Sequence, residues 1–77
     1  MGEKVTIFAE VLVPVPVPKT YTYRVPLDWN EFIIPGIRVA VQFGYRKVYA
    51  GIIIAVSEEP PVGYQAQYIL EILDDKS

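Results

Sequence analysis

"PGIRVAVQFGYRKVYAGIIIAV", residues 35–56, decides the fold. Its first half alternates: Ile37, Val39, Val41 and Phe43 fall on one side of an extended chain, with Arg38 and Gln42 on the other, the pattern of a half-buried strand. Its second half, "VYAGIIIAV", is dense in β-branched residues, as expected of a strand covered on both faces. Gly44 opens the short connection "GYRK", so residues 37–56 read as a hairpin. Ahead of it, Pro35-Gly36 suits a type II turn, with proline fixing φ at the second position and glycine supplying positive φ at the third. Gly51 marks a bulge or the tight bend of a small barrel.

The flanks repeat the pattern. In "KTYTYRV", Tyr21, Tyr23 and Val25 share one face, and Thr20, Thr22 and Arg24 the other. "KVTIFAEVLV" places Val5, Ile7, Ala9, Val11 and Val13 together, while Phe8 and Leu12 leave its second face partly apolar. "YILEIL" reads as a short last strand. Only "LDWNEF" suits a turn or two of helix, with Asp28 as its N-cap, and Pro60-Pro61 with Gly63 marks a loop. Short strands joined by turns predict an all-β fold, a small five- to six-stranded barrel of the OB-like or SH3-like kind with at most one short helical turn. Closure would hide the edges of these apolar strands.

At 77 residues the chain makes a single domain, 1–77, near the size at which one core leaves little stability to spare. With 52% hydrophobic and 21% charged residues it is globular rather than disordered. The longest apolar run, Ile52 to Val56, is far short of the ~20 residues of a membrane helix, and the N-terminus lacks a signal pattern. The expectation is a cytoplasmic protein. No cysteine or histidine is present, which excludes disulfides, thiolate metal sites and histidine-based acid–base chemistry. No phosphate-binding loop, dinucleotide fingerprint or metal-ligand spacing appears, so neither catalysis nor a cofactor is expected. Glu58-Glu59 and Asp74-Asp75 read as solvated loop and tail charges.

Binding is better supplied. Net charge is −2, but residues 19–51 hold Lys19, Arg24, Arg38, Arg46 and Lys47 against Asp28 and Glu31, a local balance of +3. Residues 1–18 sum to −1 and residues 52–77 to −4. Tyr21, Tyr23, Tyr45 and Tyr49 lie among the basic residues, the mixture used by single-stranded nucleic-acid sites, where bases stack on aromatic rings. The same rings could equally be core. Tyr23 reads as core, and Tyr21, at a strand start, stands between the two readings.

"VPVPVP", residues 13–18, could be a polyproline ligand for another protein, but its valines are too apolar for a free tail. It reads better as a stiff edge segment, because three missing N–H donors prevent another strand from pairing with it.

Taken in order, "VPVPVPKTYTYRVP", "PGIRVAVQFGYRKVYAGIIIAV" and "YILEILDD" resemble the N-terminal 3′ DNA-binding domain of the primosomal protein N′ (PriA) family, the replication-restart helicases of bacteria. The family pattern is a V-P-x-P-L-P run, then T-F-D-Y, P-G-x-R-V-x-V-P-F-G, a G-I-V strand pair and a last strand ending in L-D. The resemblance covers nearly the whole chain. It implies a module that captures the 3′ end of a nascent leading strand at a stalled or branched fork. It also implies that this chain is one domain of a longer ATP-dependent helicase. The remaining helicase domains, the primosome and single-stranded DNA-binding proteins are the partners it implies.

Residue by residue, Tyr21 matches the aromatic of the family pocket and Gly44 its glycine. Thr22 stands where the family has aspartate and Gln67 where it has lysine. Losing acid and base together leaves the charge balance unchanged but removes a charge-assisted bond at each position. Lys19, Arg46 and Lys47 are candidate phosphate contacts by charge and location. The alternative is a protein-interaction barrel or an intramolecular docking domain with no nucleic-acid contact, suggested by the net acidity and apolar faces.

Overall fold

The computed structural model describes residues 5–16 and 19–74. Its strands are β1 (Phe8–Val13), β2 (Lys19–Arg24), β3 (Arg38–Gln42), β4 (Val48–Ser57) and β5 (Glu71–Ile72), with a 3₁₀ helix at Leu27–Phe32 after β2. They form one antiparallel sheet in the order β2-β1-β4-β3-β5.

The all-β reading holds, and the hairpin at residues 37–56 is β3 and β4, paired from Arg38↔Ile52 to Gln42↔Val48. Ile37 N–H donates to the Ile34 carbonyl at 3.3 Å with Gly36 at φ 97°, the expected proline-glycine turn. The alternation also holds. Val39 and Val41 of β3, Ala9, Val11 and Val13 of β1, and Tyr23 and Val25 at the end of β2 are buried together with Ile33, Ile37, Ile53 and Ile69.

Of a closed and a nearly closed barrel, the sheet matches the second: it is not closed. The sheet curls until β2 meets the chain just before β5, and there the join is a single parallel bridge, Arg24↔Tyr68. Arg24 N–H donates to the Gln67 carbonyl at 2.8 Å, and Ile69 N–H donates back to the Arg24 carbonyl at 3.0 Å. With only 2 residues, β5 is too short to continue the ladder. The edge is nonetheless blunted, since the backbone around Arg24 is occupied by residues 67–69.

The outer face of β4 departs from expectation too. Ile52 is 41% and Ile54 48% exposed: the 3₁₀ helix contributes no buried residue, and among the described residues no second layer covers this face. A β-branched run reads the same in sequence whether one face is covered or both. Between Glu10 and Val11 the β1–β4 register shifts, Ile54 being the extra residue on β4. Gly51 itself is required by a close approach: a Cβ there would collide with Val11 Cγ1 and lie 2.9 Å from the Leu12 carbonyl oxygen.

Three local expectations are corrected. The 3₁₀ helix starts at Leu27 with Pro26 in the cap position and Asp28 in its first turn, so Asp28 is not the N-cap; the Pro26 carbonyl accepts the Trp29 N–H at 2.8 Å. The proline run is not an edge segment. Val13 pairs with Lys19, so Pro14 and Pro16 fall between the paired strands of the β1–β2 hairpin, and Val15 N–H closes a tight turn on the Val13 carbonyl at 2.8 Å. Prolines are tolerated there because a hairpin loop needs no ladder donors; Val17 and Pro18 lie outside the described residues. Asp74 is no free tail charge. It accepts the Arg38 backbone N–H at 2.9 Å and the Arg38 Nε–H at 2.8 Å, which pins the end of β5 to β3, while Asp75 is outside the described residues. The backbone N–H and then the side chain of Arg38 hold its carboxyl below the usual range.

Candidate nucleic-acid interface

The β1–β2 and β3–β4 hairpins turn at the same end of the sheet. Lys19 opens β2 there, and residues 43–47 form the second tip, where Phe43 N–H donates to the Lys47 carbonyl at 2.9 Å. Gly44 at φ 73° and Arg46 at φ 59° both adopt left-handed backbone, which glycine takes freely and arginine only at a cost of about 1 kcal/mol or more. The space beside Gly44 is open, so its glycine is a conformational requirement of the turn that also keeps the rim uncrowded.

Because the sheet curls, the inward side chains of β2 reach the end of β3. The Tyr21 ring lies 4.7 Å from that of Phe43 in a tilted stack, and Phe43 lies 6.1 Å from Tyr49 edge-on. This stack docks the start of β2 against the Gly44 turn. Two residues deeper, Tyr23 is only 5% exposed and donates its hydroxyl to the Gln42 carbonyl at 3.0 Å. Burial first, and then the phenols of Tyr64 and Tyr21, push the Tyr23 pKa up to about 12. Tyr23 is core, as read from the sequence. Tyr21 is half-buried on the rim, sharing in both readings.

Thr22 is half-buried and points to the outer face, opposite Tyr21. A ligand touching both side chains must straddle the β2 edge. The Thr22 backbone N–H is directed away from β1 and is accepted by the Tyr64 hydroxyl at 3.1 Å. Gln67 lies along the same edge, its carbonyl joined to Arg24 and its side chain exposed. Beside it the Arg24 guanidinium sits 5.3 Å from the centre of the Tyr68 ring.

Tyr21, Thr22 and Gln67 are thus brought to one sheet edge, with the Gly44 turn joined to it through Phe43. Lys19, Arg46 and Lys47 share the hairpin end, where the Arg46 guanidinium lies 5.0 Å from the Tyr45 ring centre and Tyr45 is 78% exposed. The two hairpin tips hold no described acidic residue, although the exposed Glu10 of β1 lies directly opposite Thr22 on the outer face; Asp28, Glu31, Glu58 and Glu59 lie at the other end of β2 and β4. The charge separation is only partly kept in space: Lys19, Arg46 and Lys47 gather at the hairpin end, whereas Arg24 and Arg38 lie towards the other end, Arg38 paired with Asp74. Among the described residues no cluster of groups could hold a metal ion, and no helix is long and apolar enough to cross a membrane.

Sequence reasoning missed two participants. Phe43 lies on the apolar face of β3 and looked like ordinary core; Tyr64 sits in a loop with no local signal, and its partner is 42 residues away in the chain.

A curled antiparallel sheet with aromatic rings and hydroxyls at one cationic rim defines a small nucleic-acid-binding module. The family model of the PriA 3′DNA-binding domain (3′BD) matches residues 10–77, and the chain belongs to that family. It is a DNA-binding domain that recognises 3′ ends. No curated protein and no solved structure gives a significant match.

Proposed function

We propose that the β2 edge and the Gly44 turn form the pocket for the 3′-terminal nucleotide, with Tyr21 packing against its base or sugar. Thr22 and Gln67 offer neutral hydrogen-bonding groups in place of an acid and a base, and Gly44 leaves the rim open. Lys19, Arg46 and Lys47 hold the adjoining phosphates. The observation that carries this reading is the Tyr21–Phe43 stack, which joins the separate sequence motifs at the cationic end of the sheet.

In this reading the chain, residues 1–77, is a single N-terminal domain of a longer replication-restart helicase. It holds the 3′ end of a nascent leading strand at a stalled or branched fork while the helicase domains of the parent chain supply ATP-driven unwinding. Those domains are its nearest partners, and primosome and single-stranded DNA-binding proteins meet it at the fork, in the cytoplasm where the chromosome is copied. Fluorescence anisotropy with short single-stranded oligonucleotides tests the pocket. A free 3′-hydroxyl end binds more tightly than a 3′-phosphate end; equal affinities would overturn the assignment.

A further inference from the structure

We propose that the Tyr64 hydroxyl is the specificity-determining group of this pocket, donating its proton to the 3′ oxygen of the terminal nucleotide. The inference rests on the pocket proposed above and names the group that reads the end.

The β2 register sets it up. Tyr23 pairs with Ala9 and Tyr21 with Val11 through ladder hydrogen bonds, so the N–H of Thr22 between them faces off the sheet. The Tyr64 oxygen accepts it. A phenol that accepts one bond still carries its own proton, and among the described residues no acceptor takes that proton. The neighbouring Tyr23 phenol cannot substitute as donor, because its proton is committed to the Gln42 carbonyl. Tyr64 is 52% exposed, so a ligand can reach it.

The chemistry matches a terminal hydroxyl, which both donates and accepts. Tyr64 supplies a proton, and the hydroxyl of Thr22, the residue whose backbone N–H it accepts, can take one. Neither group is charged, so these two read the end through neutral hydrogen bonds; the exposed Glu10 carboxylate, opposite Thr22 on β1, shares the Thr22 face.

The test compares two single-stranded oligonucleotides of one sequence, one ending in a 3′-hydroxyl and the other in a 2′,3′-dideoxynucleotide, on the 77-residue chain and its Tyr64→Phe variant. The unaltered chain prefers the hydroxyl end on the order of five-fold, as loss of one neutral hydrogen bond implies. Tyr64→Phe loses that preference, its affinity for the hydroxyl end falling further than that for the dideoxy end. Retained preference in the variant would overturn the proposal. Equal loss for both ends would also overturn it, showing Tyr64 to be only a fastening of its loop, and a thermal melt would register that loosening. If the unaltered chain separates hydroxyl from phosphate ends but ignores the dideoxy change, the Tyr64 proposal falls and the pocket stands. If it ignores both, the pocket falls as well.

Discussion

The two ends of the sheet are built from the same strands yet differ in almost every property that matters for a ligand. At the hairpin end, Tyr21, Phe43 and Tyr49 stack in a partly open row beside Lys19, Arg46 and Lys47. At the other end, Ile33 and Ile37 complete the core, and Asp28, Glu31, Glu58 and Glu59 gather with Arg24 and the Arg38–Asp74 pair. Tyr21 and Tyr23 show the divide within a single strand: the same side chain on the same face, two positions apart, is rim at one and sealed core at the other. A module this small cannot set a core aside from its site. In the proposed pocket, the row that closes the core at the hairpin end is also the surface offered to DNA.

The sharpest way to break the comparison is at the middle of the sheet. Gly51→Ala forces a methyl into Val11 and the Leu12 carbonyl, and costs about 1 to 3 kcal/mol in chemical denaturation. The folded fraction should still bind DNA, since the hairpin end is untouched. Tyr21→Ala should cost about 1 to 3 kcal/mol of binding to a free 3′ end by anisotropy if the ring stacks on a base. It should also lower the melting temperature modestly, because the Phe43 stack contributes about 0.5 to 1.5 kcal/mol.

Tyr23→Phe separates core from rim in another way. The raised pKa of Tyr23 means that stability is full below pH 10, the usual tyrosine value, and is lost as pH rises towards about 12. In the variant that added alkaline loss disappears, as melting temperatures measured from pH 8 to 12 would show, while binding at neutral pH changes little. Smaller still, Lys47→Ala should reduce the slope of log affinity against log salt by about one, the signature of one phosphate contact. Glu58→Gln at the opposite end should leave that slope unchanged.

Much of this was legible in the chain. Alternation in "IRVAVQF" and "KTYTYRV", with turn residues at Pro35-Gly36 and Gly44, specifies strands and turns locally, and the inward set follows from period two alone. What was not legible depends on distant register. Whether β2 joins β5 by a ladder or by one bridge depends on where the last strand stops, and nothing local in "YILEIL" says that it pairs over only 2 residues. The proline run looked like an edge because its pairing partner, Lys19 with Val13, is known only once the hairpin is registered. The Asp74 carboxylate looked solvated because Arg38 is 36 residues away. Within the site, Tyr21, Thr22 and Gly44 came from motifs, whereas Tyr64 is found only through the contact it makes.

The central claim is that DNA ends are held at the cationic hairpin end. Backbone amide chemical shifts, followed while an oligonucleotide with a free 3′-hydroxyl is titrated into the labelled 77-residue chain, test it most directly. The largest changes should fall on Lys19, Tyr21, Thr22, Gly44, Arg46, Lys47 and Tyr64, with Asp28, Glu31, Glu58 and Glu59 unmoved. Changes centred instead on the outer face at Ile52 and Ile54, or on the acidic end, would contradict it.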